Sequence, residues 1–206
     1  MKNQINKQKK FKILAAGDFH GDSSASKRLA EKAEKENVDL VVLTGDITGL
    51  IETENLIKPF LQKNKRVVFV PGNWDTTEAT ETISRLYGIK NIGKHYVKYD
   101  NVGIFGVGNE DWQLKLNEGN AFKKLEKDFE KIKDLEKKIM VSHMHAARTK
   151  AEFSGFPGSK AIRKAIEKFQ PDLFISGHIH EAEGLNEKIG KTRVISVGKK
   201  GKIIEI

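Results

Sequence analysis

The sequence contains no cysteine. That excludes disulfides and any thiolate metal site, and leaves histidine, carboxylate and amide groups as the available metal ligands. No apolar run approaches the ~20 residues that a helix needs to cross a bilayer, so no membrane partner is expected. The opening MKNQINKQKK is polar and basic, without the apolar segment and small-residue cleavage site of a secretory signal. Residues 1–10 read as a flexible basic arm, and the expected location is cytoplasmic. No internal repeat, low-complexity tract or linker interrupts the remainder, so residues 11–206 read as one domain. The formal net charge is +9, which can mark a nucleic-acid partner. Here the lysines are spread along amphipathic helical patterns, and no Lys/Arg cluster is interleaved with exposed aromatics. A small substrate is favoured over nucleic acid on that ground.

What the chain does have is a recurrence. Five short apolar runs each end on a side chain able to bind a metal. FKILAAG (11–17) runs into Asp18 and His20, VDLVVLTG (38–45) into Asp46, and RVVFVPG (66–72) into Asn73. KIMVS (138–142) runs into His143, and DLFISG (172–177) into His178 and His180. In an α/β sheet, ligands gather beyond the carboxyl ends of the strands. If these runs are strands, one rim collects two Asp, one Asn and four His. Such oxygen and nitrogen donors suffice for two divalent cations.

Helical patterns alternate with the apolar runs, the signature of α/β architecture. Residues 23–37 open with serine caps and read as a helix, and 52–64 as a second one weakened by Pro59. A third spans 76–87 and stops at Gly88. The longest is expected over 121–138, where Phe122, Leu125, Phe129, Ile132 and Leu135 form one apolar face. A last helix covers 159–169. Segments 94–100, 101–108, 192–198 and 202–206 look like strands joined by short turns, and antiparallel pairing is expected among them. Residues 144–158 have neither periodicity, and an irregular loop of that length is usually functional.

Taken together, Asp-x-His at 18–20, Gly-Asp at 45–46, Gly-Asn at 72–73, His143 and Gly-His-x-His at 177–180 resemble the calcineurin-like metallophosphoesterase family. The resemblance runs from residue 11 to about 198, and five blocks in order are far more specific than any one alone. It implies a four-layer αββα sandwich, two mixed sheets flanked by helices. It also implies that Asp18, His20, Asp46 and His180 hold one metal and that Asp46, Asn73, His143 and His178 hold the other, with Asp46 bridging. The implied cofactors are two divalent ions. Mn is expected to serve in vitro, and Fe, Zn, Co or Ni also suit this donor set. A water bridging the pair would lose a proton easily and attack phosphorus, with Asn73 among the catalytic groups.

One position departs from the family pattern. Most members carry a histidine after Gly-Asn that approaches the leaving group, whereas this chain reads Gly72-Asn73-Trp74-Asp75. Indole donates a hydrogen bond but no proton, so general acid help, typically worth ~100- to 10,000-fold, is missing there. Trp74 has two open readings, stacking on a base or aryl group of the substrate or core packing. His145 is the candidate substitute acid, or else a surface loop histidine. Arg148 and Lys150 could hold phosphate oxygens, or be plain solvated charges. His95, in a strand pattern, reads as structural or surface.

The expected function is hydrolysis of a small phosphate ester, a diester before a monoester, because a diester with a good leaving group demands less of an acid. A nuclease is the alternative enzyme, and a non-catalytic protein-binding scaffold the alternative of another class. Scaffolds of this fold tend to lose ligand residues, and here all seven positions are filled. Oligomeric state, natural substrate and native metals stay open at this level.

Overall fold

The computed structural model describes residues 10–49 and 55–206. The expected basic arm lies outside the described residues except for Lys10, as do the first residues of the pattern at 52–64.

In chain order, β1 (Lys12–Ala16) is followed by α1 (Ser23–Lys35), β2 (Leu40–Leu43), α2 (Lys58–Gln62), β3 (Val67–Phe69), α3 (Thr77–Tyr87) and β4 (Lys90–Asn91). Then come β5 (Val97–Tyr99), β6 (Val102–Val107), α4 (Glu118–Ile132), β7 (Lys137–Ser142), α5 (Lys160–Phe169), β8 (Leu173–Ser176), β9 (Asn186–Ile189), β10 (Thr192–Ser196) and β11 (Lys202–Glu205). The strands form two mixed sheets, ordered β11-β1-β2-β3-β4 and β5-β6-β7-β8-β10-β9. Within each, the strands that precede the ligand positions run parallel: β1 with β2 and β2 with β3 in the first, β7 with β8 in the second.

Period-2 alternation sorts the side chains into layers. Ile13 and Ala15 of β1 face one way and join Val42, Val68, Ile139, Val141 and Ile175 in a core between the two sheets. Leu14 and Ala16 face the other way and pack with Leu29 and Ala33 of α1, Phe60 of α2 and Ile83 of α3. On the outer side of the second sheet, Phe105, Met140 and Phe174 meet Leu125 and Ile132 of α4 and Ile162 and Ile166 of α5. Burying each of those isoleucines contributes about 1.5–3 kcal/mol. The result is helix, sheet, sheet, helix, as the resemblance implies.

Several local expectations are corrected. The cap of α1 is Asp22 rather than a serine, its Oδ1 accepting from the Ala25 N–H at 2.9 Å. Pro59 does not weaken α2; it sits in the first turn, where its missing N–H has no partner to lose. Helix α4 starts three residues before the expected 121, because Asn117 caps it, and ends at Ile132 because Lys137 is already paired to Val102 in β6. The pairing of 192–198 with 202–206 does not occur. β10 turns back on β9, an unforeseen strand with Ile189 its one fully buried residue, while β11 joins the other sheet beside β1. The hairpin expected between β5 and β6 is present. The loop at 144–158 carries one short 3-10 turn, Lys150–Ser154.

Candidate metal centre

The parallel strands of both sheets end on one rim. Asp18 and His20 follow β1, Asp46 follows β2, Asn73 follows β3, His143 follows β7, and His178 and His180 follow β8. Four of the seven have left-handed backbone: Asp18 (φ 58°), His20 (φ 48°), Asp46 (φ 49°) and His178 (φ 73°). Asp and His tolerate that region better than most residues, but each such position still costs on the order of 1 kcal/mol or more. Strain gathered on so many neighbouring polar residues marks a functional rim. Gly45 and Gly72 allow the Asp46 and Asn73 turns to touch. Gly45 has φ 97°, and a Cβ on Gly72 would stand 2.2 Å from Asp46 Oδ1.

The side chains converge. His20 Nε2 lies 3.3 Å from His180 Nε2, and His180 Nε2 lies 3.7 Å from Asp18 Oδ1. On the other side, His143 Nε2 lies 3.0 Å from Asn73 Oδ1 and 3.1 Å from His178 Nδ1. Asp46 Oδ2 stands between the sets, 3.7 Å from His20 Nε2 and 3.4 Å from His143 Nε2. Ring nitrogens this close to each other, with carboxylate oxygens among them, suit a shared cation better than mutual hydrogen bonding. Asp18 Oδ2 is buried without any hydrogen-bond partner, a cost that a cation would remove. Asp18, His20 and His180 form one compact donor group, and Asp18, Asp46 and His143 another, the atoms of each within 4.8 Å of one another. The residues therefore fit a pair of metal ions.

A family model for calcineurin-like phosphoesterases matches residues 11–182. The chain belongs to that family. The family uses a dinuclear metal centre, and the two donor groups above are candidates to hold it. Among solved structures, TT1561 of Thermus thermophilus is similar at 17% identity and TM-score 0.75, covering 96% of this chain and 99% of that one. A dimetal phosphatase from Danio rerio (14% identity, TM-score 0.63) covers 92% of this chain and 88% of its own. An archaeal phosphodiesterase (18% identity, TM-score 0.55) covers 95% and 99% respectively. At these identities the likeness concerns the fold. No curated protein sequence matches the chain.

Burial and neighbouring charge set the protonation of this calcineurin-like centre. His143 is fully buried, which works against its charged form, but Asp46 and Asp18 outweigh that and raise its pKa to about 9. Its Nδ1–H donates to the Thr44 carbonyl at 2.9 Å, which fixes the ring and turns Nε2 toward the centre. His178 is lowered to about 4, by burial first and then by the charge on His143. Asp46 is lowered, because hydrogen bonding and attraction from His143 and the Trp74 backbone N–H outweigh its burial. That N–H reaches Asp46 Oδ1 at 2.8 Å.

The remaining predicted residues are placed unevenly. Trp74 is not core: it is 40% exposed, with its ring edge-on to His20 at 5.5 Å. His145 is buried, not a surface histidine. Its Nε2–H donates to the Phe156 carbonyl at 3.2 Å, its Nδ1 has no partner, and its ring lies nearly parallel to that of His178 at 6.4 Å. Arg148 and Lys150 are exposed; the Arg148 charge acts on Glu152, and the Lys150 N–H donates to Glu187 at 2.8 Å. His95 is exposed.

Two residues were missed. Asp75 is fully buried behind Asn73 and ties the ligand loops together. Its Oδ2 accepts from the Gly72 N–H at 2.9 Å, and its Oδ1 from the Ile47 N–H at 3.0 Å and from Thr48. Burial raises its pKa against those hydrogen bonds. A carboxylate two places after a ligand was its only sequence signal. Trp112, half-exposed beside Trp74, sits in a segment without periodicity and gave none.

Proposed function

We propose that the protein hydrolyses phosphodiesters, with two divalent cations held by Asp18, His20, Asp46 and His180 and by Asp46, Asn73, His143 and His178. The supporting observation is the position of Asp46 Oδ2 between the two donor sets. When bound, such a cation pair supplies Lewis-acid polarisation of phosphoryl oxygens and acidifies water. The chain's own residues do the positioning. Thr44 orients His143, the Trp74 backbone N–H holds Asp46, and Asp75 keeps the loops after β2 and β3 in register.

The preference for a diester rests on Trp74. At the rim, beside His20, stands an indole that cannot protonate a leaving group. His145, the expected substitute, spends its Nε2–H on Phe156. An ester whose leaving group departs as a stable anion is the substrate least hindered by that arrangement. A small phosphate ester, rather than a polynucleotide, is the proposed partner.

The test compares bis-p-nitrophenyl phosphate with p-nitrophenyl phosphate, with and without Mn²⁺. Faster hydrolysis of the diester, dependent on metal, is expected. Metal-independent turnover would refute the assignment of the centre, and a dominant monoesterase would refute the diester reading.

A further inference from the structure

Among the described residues, five of the seven large apolar side chains left exposed lie on segments next to ligand positions: Trp74, Trp112, Leu114, Phe153 and Phe156. Two of them form a unit. The rings of Trp74 and Trp112 lie 4.8 Å apart and edge-on, and Trp74 in turn meets His20. Trp74 is 40% exposed and Trp112 51%. Leaving two indoles open to water forgoes burial that each could supply elsewhere.

The loop carrying Trp112 is fastened to the loop carrying Asn73. The Trp112 N–H donates to the Asn73 carbonyl at 2.8 Å, and the Asp111 N–H to the Asp75 carbonyl at 3.1 Å. The Asp111 carboxylate accepts from the Thr77 N–H at 2.8 Å and from Thr77 Oγ1 at 2.7 Å. Trp112 itself is held at φ 62°, an outlying conformation for so bulky a residue. Exposed, strained and pinned to a ligand loop, it is placed for something outside the protein.

We infer that Trp74 and Trp112 form a stacking shelf for a nucleobase, and that the substrate is a nucleoside phosphodiester whose phosphate lies at the metal centre. The inference rests on the proposed phosphodiesterase reading. In a nucleotide, one ribose separates phosphorus from the base, and here the shelf begins at His20, itself one of the metal donors, with Trp112 one ring further out. Stacking on an aromatic side chain is strong and tolerant of base identity. The anionic phosphate suits a chain of net charge +9. The competing occupant is an acyl chain of a phospholipid. It would call for an enclosed apolar channel, whereas this shelf is open, both indoles being exposed to water.

The protein's two tryptophans are both in the shelf, so intrinsic tryptophan fluorescence reports on it without any reaction. Thymidine 5′-monophosphate, titrated into Mn²⁺-loaded protein with absorbance correction, should quench that emission saturably. Ribose 5-phosphate and phosphatidylglycerol vesicles should not. Equal responses to the nucleotide and to ribose 5-phosphate would overturn the inference, and a response to vesicles alone would transfer the shelf to lipid.

In turnover, thymidine 5′-(p-nitrophenyl phosphate) and methyl p-nitrophenyl phosphate share a leaving group and differ in the retained arm. Their kcat/KM ratio should favour the nucleoside by about tenfold or more, carried by KM. Trp112→Ala should bring the ratio near one, and Trp112→Phe should restore most of it. An unchanged ratio in a folded Trp112→Ala protein would refute the shelf. Failure to hydrolyse either ester would refute the phosphodiesterase reading instead, with the fluorescence titration still deciding the shelf.

Discussion

Asp75 accepts both hydrogen bonds that Thr48 can offer, from its backbone N–H and its Oγ1, each at 2.8 Å. With the bond from Gly72, that fastens the turn after Asp46 to the turn holding Asn73. In Asp75→Asn one of the two acceptor oxygens becomes an NH₂ group facing backbone donors. Metal affinity should fall about 10- to 100-fold, the usual cost of losing a residue that orients ligands, with the circular dichroism spectrum retained. Calorimetric metal titration measures it; unaltered affinity would show that the loops hold their register without Asp75.

On the proposed ligand assignment, protons and cations compete for His143. Its pKa is raised in the fold from 6.5 to about 9, so its stabilising contribution is complete below pH 6.5 and is lost as pH rises through the folded value. His178 has the opposite sign. Its pKa falls to about 4, so its contribution is present above pH 6.5 and is lost as pH falls toward that value. Exhaustively chelated protein should therefore be most stable near pH 6.5 and melt earlier on either side. Saturating Mn²⁺ takes the place of the His143 proton, so its gain in Tm should be greatest on the alkaline flank. Thermal unfolding across this range checks the shape, and a Tm of the chelated protein that climbs steadily with pH would contradict it.

Asp46→Asn should reduce turnover more than His180→Ala at saturating metal. Asp46 Oδ2 approaches both His20 and His143, and its charge serves both proposed ions, whereas His180 lies beside Asp18 and His20 of the first donor set. If Asp46→Asn kept wild-type kcat, the assignment of Asp46 as the shared ligand would be wrong.

With Trp74 at the rim and His145 committed to Phe156, the rate should fall steeply as the leaving-group pKa rises. His145→Ala should slow alkyl and p-nitrophenyl diesters by a similar factor, by loosening His178 and the loop at 144–158. A loss confined to alkyl leaving groups would instead identify His145 as the proton donor. Trp74→His offers the reciprocal experiment, with gains expected for poor leaving groups only.

The runs that build the sandwich interior were legible because Ile13, Val42, Val141 and Ile175 sit in unbroken apolar stretches, and their ends carry the seven side chains that the fold brings to one rim. What escaped were features without a periodic or compositional mark. β9 presents Asn186, Glu187 and Lys188 before its one fully buried residue, Ile189. β11 is short enough that nothing in it chooses between pairing with β10 and crossing to β1. Helix ends moved where a single side chain decided them, Asn117 for α4 and Asp22 for α1. His145 and Trp112 show a further limit: adjacency in sequence says little about which way a ring turns, and a residue in an aperiodic loop acquires its role from the partner loop.

The strand that delivers Asp18 and His20 has β11 as one of its two neighbours, and Asp18 accepts from the His178 N–H across 160 positions of chain. β1 stays a sheet edge until β11 pairs with it, and the rim stays incomplete until the loop after β8 docks. Long-range closures of this kind make folding slow. A partly folded chain thus exposes one edge of β1 to pairing with other strands, and the loops after β1 and β8 must meet before the candidate metal centre can close.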